Sequence, residues 1–169
     1  MEAAMGRYPE VLVVMGSSSD AETVKLAEDI LLDFDVPYEL RIISAHRTPN
    51  EAMQLANDAK SRGFKVIICA AGMAAHLAGV FAANTTLPVI GLPLSGGLLG
   101  GVDSLFSTVQ MPSGFPVATV AVDGAKNAAL LAISILALSN EDLSNKLDAY
   151  RQKIKENVLK KDDEIGKIN

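Results

Sequence analysis

The chain has 169 residues, 49% of them hydrophobic, a net charge of −5, no tryptophan and 5% aromatic residues. That is the length of one domain, residues 1–169, with apolar content enough for a core. The charge and the shortage of aromatic rings exclude the basic face and stacking platform of a nucleic-acid binder, so a small molecule is the expected partner.

The first fifteen residues contain Glu2, Arg7, Pro9 and Glu10, which break any signal-peptide core. The apolar stretch from Ala128 to Leu138 is interrupted by Ser134 and falls short of the roughly 20 residues a bilayer span needs. A cytoplasmic protein with no membrane role is expected. The single cysteine, Cys69, lies inside the apolar run 66–71, so it offers no disulfide or metal framework and fits a reducing compartment.

In chain order, short β-branched runs alternate with segments of helical period, the pattern of an α/β domain with a parallel sheet. Strands are expected at 11–15, 40–43, 66–70, 89–92 and 117–122. The first crossover helix, 21–34, places Val24, Ala27, Ile30, Leu31 and Phe34 on one face, and Ser19-Asp20-Ala21-Glu22 reads as its capping box. The second, 48–62, places Ala52, Met53, Ala56 and Ala59 on one face. Thr48-Pro49-Asn50-Glu51 repeats the capping logic with proline at the first helical position, and Gly63 ends the helix. Segment 125–138 is apolar on nearly all sides and is expected to be buried on more than one face, either within the core or partly by another subunit. Segment 141–165 is charged but keeps Leu143, Leu147, Tyr150, Ile154 and Val158 at helical spacing, predicting a long terminal helix packed along one stripe.

Ligands of open parallel sheets sit beyond the carboxyl ends of the strands, so the loops after the first three strands are read together. Gly16-Ser17-Ser18-Ser19-Asp20 is a small-residue turn entering a helix, where free amides and the helix dipole favour an anion such as phosphate; the same turn is also an ordinary strand-to-helix connection. It matches no nucleotide fingerprint. Ser44-Ala45-His46-Arg47-Thr48-Pro49 sets a guanidinium that can grip phosphate beside an imidazole, a group that ordinarily titrates near pH ~6.5 and both gives and takes protons. His46 is the leading proton-transfer candidate. Ala70 to Gly79 is nearly devoid of polar side chains except His76, which is either a locally satisfied helix-start residue or a catalytic group ranked below His46. Segment 100–112 is suited to close over the site or meet a neighbouring subunit, and Asp103 is read as an N-cap opening a short helix ahead of the alternative, a catalytic acid. Two histidines and one cysteine show no metal-ligand spacing, and no Gly-x-Ser-x-Gly elbow occurs.

Taken together, Met15-Gly16-Ser17-Ser18-Ser19-Asp20, Ser44-Ala45-His46-Arg47-Thr48-Pro49, Ala74-Ala75-His76-Leu77 and Asp103-Ser104-Leu105 with Val109-Gln110-Met111-Pro112 closely resemble the bacterial-type 5-(carboxyamino)imidazole ribonucleotide mutases of purine biosynthesis. The resemblance covers almost the whole chain. It implies a flavodoxin-like three-layer α/β/α sandwich with a long C-terminal helix, assembled as a homo-octamer. The implied reaction moves a carboxylate from the exocyclic amine of aminoimidazole ribonucleotide to ring carbon 4 without a cofactor or metal.

By the same resemblance, Ser19, Ser44 and Arg47 would hold the phosphate and Asp20 the ribose hydroxyls. Ser17, Ala45, Gly72 and Ala74, with Ala75, His76 and Leu77, would surround the base and the migrating carboxylate. Three positions depart from the family pattern: Met73 where glycine is usual, Ala78 where proline is frequent, and Ser113 where arginine or glycine is frequent. Animal-type relatives, which carboxylate directly with carbon dioxide, typically carry His-Lys in place of His46-Arg47.

Overall fold

The structure is a computed structural model that describes residues 8–166. The chain divides into two compact units, with the boundary between Ile133 and Ser134.

The first unit is built on five parallel strands, β1 (Val11–Met15), β2 (Tyr38–Ile42), β3 (Val66–Gly72), β4 (Val89–Leu94) and β5 (Ala118–Thr119), in the order β2-β1-β3-β4-β5. That is the flavodoxin-like order, with the chain reversing direction across the sheet between β1 and β3. The central strands β1, β3 and β4 are buried over nearly their whole length, as a sheet covered on both faces requires.

Handedness assigns the layers. The crossover from β1 to β2 through α1 (Ala21–Asp33) runs one way across the sheet, while those through α2 (Pro49–Asp58), α3 (Leu77–Asn84) and α4 (Val102–Val109) run the other. Right-handed connections then place α1 on one face and α2, α3 and α4 on the opposite face. The core under α2 and α3 gathers Leu12 and Val14 of β1, Ile67 and Cys69 of β3, and Ala52, Ala56 and Phe81 of the helices. Burial pushes the Cys69 thiol far above its ordinary range, which leaves it an inert core residue.

Several boundaries differ from the sequence reading, each for an identifiable reason. β2 starts at Tyr38 rather than Leu40 and is only partly buried, because it is the sheet's edge. β5 shrinks from the expected 117–122 to two residues. The Val120 N–H still donates to Gly91 O (3.0 Å) and the Asp123 N–H to Pro93 O (2.9 Å), so Gly91 and Pro93 are the β4 residues that face β5. Pro93 has no N–H to return, and the ladder stops there.

The α1 capping box is displaced to Ser17 and Asp20, around a 3₁₀ turn at Ser18–Asp20, and Asp20 itself makes no side-chain bond to the helix it precedes. Ala52, Ala56 and Ala59 are buried as expected, but Met53 is 40% exposed and Leu55 of α2 takes its place in the core. Thr48 does not cap α2 with its side chain, although Pro49 sits in the first turn as expected. Gly63 (φ +95°) closes the following turn: Phe64 N–H donates to Ala59 O and Gly63 N–H to Lys60 O, the paired bonds of a Schellman ending. The α4 N-cap is Gly101, at φ +99°; Asp103 lies one residue inside the first turn and is not the cap.

Helix α5 (Ala125–Ala137) buries one face, Ala125, Ala128, Ala129, Ala132, Ile133 and Leu136, while Leu130 and Leu131 are half-buried and Leu138 beyond it is exposed. One face is fully covered in the single chain and the sides next to it are partly covered. The second unit contains α6 (Glu141–Ile165) as expected, capped by Asn140, whose side chain accepts from Leu143 N–H (3.2 Å), with Glu141 and Asp142 complementing the helix dipole in the first turn. Its apolar stripe is buried only at Leu143 and Leu147; Ile154 and Val158 are exposed. Among the described residues no helix is long and apolar enough to cross a membrane.

The tightest approach in the sheet is at Gly91. A Cβ there would lie 2.3 Å from Thr108 Cγ2 of α4 and 2.9 Å from Val117 Cγ1. Gly91→Ala is expected to cost about 1–3 kcal/mol by overpacking, read as a lower urea midpoint at unchanged slope; an unchanged midpoint would show that α4 is not pressed onto β4.

Candidate active site

The parallel register aligns the carboxyl ends of the inner strands. Met15 pairs with Ile42 on one side and Ala70 on the other, and Gly72 pairs with Leu94. Loops leaving these ends must therefore meet, and between them lies a cleft of about 600 Å³. A larger cleft of about 740 Å³ lies beside the start of β4, but Lys60 is the one charged side chain on its wall. Titratable groups converge in the first cleft, which makes it the candidate site.

The first loop is held by its own side chains. Ser17 N–H donates to Asp20 Oδ2 (3.1 Å) and Ser19 N–H to Ser17 Oγ (3.3 Å), while the Ser19 hydroxyl lies 2.9 Å from Ser17 Oγ and 3.2 Å from Asp20 Oδ1. This reciprocal box turns the chain sharply enough to bring Ser17, Ser19 and Asp20 all onto the cleft wall. Burial raises the Asp20 pKa above its ordinary 3.8, against the lowering effects of the Ser19 hydroxyl, the Ser17 N–H and the Arg47 charge.

The second loop is tied back on itself. The Ser44 N–H donates to Thr48 Oγ1 and the Thr48 hydroxyl to Ser44 O, each at 3.0 Å, so the threonine expected to cap α2 instead closes the loop that carries His46 and Arg47. Ser44 Oγ accepts from both Arg47 N–H (3.2 Å) and Nε–H (3.3 Å), and Arg47 Nη2 donates to Gly16 O (3.1 Å). The guanidinium is thus oriented by two loops, with only part of its donor fork used.

The third loop carries His76, the N-cap of α3, whose Nδ1 lies 2.9 Å from His46 Nε2; the rings meet edge to face, with centroids 5.0 Å apart. A hydrogen bond at that distance needs a proton on one facing nitrogen and a lone pair on the other, so the cleft presents an imidazole donor joined to an imidazole acceptor. Eleven of the twelve residues singled out from sequence line this cleft. Ala75 does not: it is buried, and its carbonyl accepts from Thr108 Oγ1 at 3.4 Å.

Ser95, Gly96 and Gly97, the loop after β4, also line the cleft and were missed by reading only the first three strand ends. Leu94-Ser95-Gly96-Gly97 is a small-residue turn after an apolar strand, the same signal that marked the first loop. Met73, one of the three departures, lines the cleft as well, whereas Ala78 is buried in α3 and Ser113 lies in an exposed turn.

Comparison with known proteins follows the same lines. The AIR carboxylase family model matches residues 10–157. An N5-carboxyaminoimidazole ribonucleotide mutase of Bacillus subtilis is 53% identical over 159 residues, covering 93% of this chain and 98% of that protein. A phosphoribosylaminoimidazole carboxylase of Schizosaccharomyces pombe is 51% identical over 160 residues, 95% of this chain but only 29% of that longer protein. Among solved structures, Treponema denticola PurE is 28% identical with a TM-score of 0.83, covering 91% of this chain and 96% of that one. The match spans all five strands and the whole cleft, and the chain belongs to the AIR carboxylase family.

Proposed function

We propose that the protein is an isomerase of de novo purine biosynthesis, converting 5-carboxyamino-1-(5-phosphoribosyl)imidazole to 5-amino-1-(5-phosphoribosyl)imidazole-4-carboxylate. The observation that carries this reading is the near full-length match to a mutase of the same size, combined with a cleft that holds the imidazole pair, the arginine and the carboxylate together. In this reading residues 1–169 act as a single catalytic domain in the cytoplasm. The assembly proposed is a homo-octamer; the exposed apolar side chains Leu98, Leu99, Val102, Phe106 and Val109 support contact between subunits without fixing their number.

The chemistry explains why so few groups suffice. Protonating the carbamate nitrogen breaks the N–C bond to the carboxylate, releasing carbon dioxide and leaving aminoimidazole ribonucleotide. Carbon 4 of that ring is enamine-like, and its electron pair forms the new C–C bond to the same carbon dioxide. Loss of the ring proton then restores aromaticity. One proton is given and one removed, and neither biotin nor a metal is required by the electron count.

His46 donates the first proton and accepts the second, supported by its place at the cleft and its 2.9 Å contact with His76. Ser19, Ser44 and Arg47 take the phosphate, and Asp20 the ribose hydroxyls. Ser17, Ala45, Gly72, Ala74, His76 and Leu77 enclose the base and the carbon dioxide, with Ala75 backing that wall; enclosure keeps the reactants together between the two half-reactions.

His46→Asn is expected to lower kcat by about 10²-fold or more, the usual weight of general acid–base catalysis; turnover near the wild-type rate would remove His46 from this role. Arg47→Ala is expected to raise KM about 10- to 100-fold by losing charge-assisted bonds to phosphate, with partial recovery in Arg47→Lys.

Because burial holds the Asp20 pKa above 3.8, acidification should protonate it, and weaken substrate binding, at a higher pH than an unperturbed carboxylate would. An Asp20→Asn protein should lose that step from its pH profile of KM. The direct test of the reaction compares turnover of the carbamate with that of aminoimidazole ribonucleotide plus bicarbonate. Preference for the carbamate is expected, and preference for bicarbonate would make the protein a direct carboxylase.

A further inference from the structure

Met73 follows β3 at φ +55°, a left-handed conformation that costs a residue with a side chain free energy and persists only where its surroundings hold it. Its surroundings do so from two sides. The Met73 carbonyl accepts from the Ser107 hydroxyl of α4 (3.3 Å) and from the Ala75 N–H (2.9 Å). Its side chain reaches across the cleft rim to the loop after β4, where a Cβ built on Gly97 would lie 3.3 Å from Met73 Cγ and 3.3 Å from Asp103 Oδ2.

Gly97, at φ +69°, therefore has a methionine from one loop and a carboxylate from α4 beside the position a Cβ would take. Asp103 Oδ1 is buried and has no hydrogen-bond partner among the described residues. Met73, 63% exposed, stands at the cleft rim on the other side. Met73, Gly96 and Gly97 all line the cleft, so whatever sets their spacing also sets its width.

We infer that Met73 is a positioning residue, a latch that fixes the Ser95–Gly101 loop against the wall after β3 and so sets the fit of substrate in the cleft. The inference rests on the proposed reaction only for its kinetic arm. A thioether side chain suits the task, since it is long, unbranched and able to fill an irregular gap between two backbones. The left-handed backbone is the cost of directing that side chain at Gly97, a cost glycine would not carry.

The variants Met73→Gly, Met73→Ala and Met73→Leu separate latch from strain. Glycine removes both, alanine removes the latch and keeps the strained φ, and leucine keeps an apolar contact. Three measurements are made on the full-length protein: carbamate turnover, thermal unfolding, and hydrogen exchange of the amides in residues 95–101.

Met73→Gly and Met73→Ala are expected to raise KM by about fivefold or more while kcat changes less than about threefold, the signature of lost uniform binding. Exchange in 95–101 should quicken about tenfold in both, as local opening becomes easier. Met73→Leu should stay within about twofold of wild type in KM. The midpoint of unfolding should be lower for alanine than for glycine.

Wild-type KM and wild-type exchange in Met73→Gly would overturn the latch, as would equal falls in kcat and midpoint across all three variants. If the wild-type protein does not turn over the carbamate, the proposed reaction fails, and exchange in 95–101 alone decides the latch: quickened in glycine and alanine but not leucine supports it, unchanged in all three refutes it.

Discussion

Two backbone hydrogen bonds just past the last residues of paired strands govern the active site. Gly16 N–H donates to Ala70 O at 3.0 Å and Ile43 N–H to Met15 O at 2.9 Å. They extend the parallel ladders to the points where the first two loops leave the sheet, so the loops depart side by side from neighbouring strands. Everything at the cleft inherits its position from this register. Shifting one strand by one residue would reverse which side chains face the core and carry the loop about 3.3 Å along the sheet, well beyond the tolerance of the hydrogen bonds described.

On that platform the loops are fixed by bonds among themselves. Ser17 and Asp20 brace one, Ser44 and Thr48 the next, and Arg47 crosses between them to Gly16. The result is a short stretch of wall on which an anchored cation, a partly desolvated carboxylate and a joined pair of imidazoles stand together. Such preorganisation matters most for a reaction whose intermediate is a small neutral gas. The protein's main contribution is then to hold two fragments in place while a single proton is exchanged.

The sequence was most legible where one residue type has one strong reason to be where it is. The apolar β-branched runs located the four long strands, and residue type together with strand-end position located His46 and Arg47. It was least legible where a residue had two uses and the tertiary structure chose between them. Asp20 could cap α1 or brace the loop before it, and it braces the loop; Thr48 could cap α2 or close its own loop, and it closes the loop.

The short β5 could not be read from its own residues because the limit lies on its neighbour, in the missing N–H of Pro93. The stripe on α6 shows the converse: helical spacing marks a face that could be buried, while burial itself depends on what lies opposite, and it stops after Leu147. The loop after β4 carried a readable signal in Ser95-Gly96-Gly97, and only the extension of the strand-end rule to β4 was needed to find it.

On the proposed reaction, the carboxylate that leaves the nitrogen is the one that joins carbon 4, within a single enclosed complex. The most direct measurement gives the purified protein a carbamate substrate labelled with ¹³C in its carboxylate, in buffer containing unlabelled bicarbonate, and reads the label in the 4-carboxylate of the product. Retention of the label is predicted at every stage of the reaction. Product carrying carbon from the buffer would contradict it.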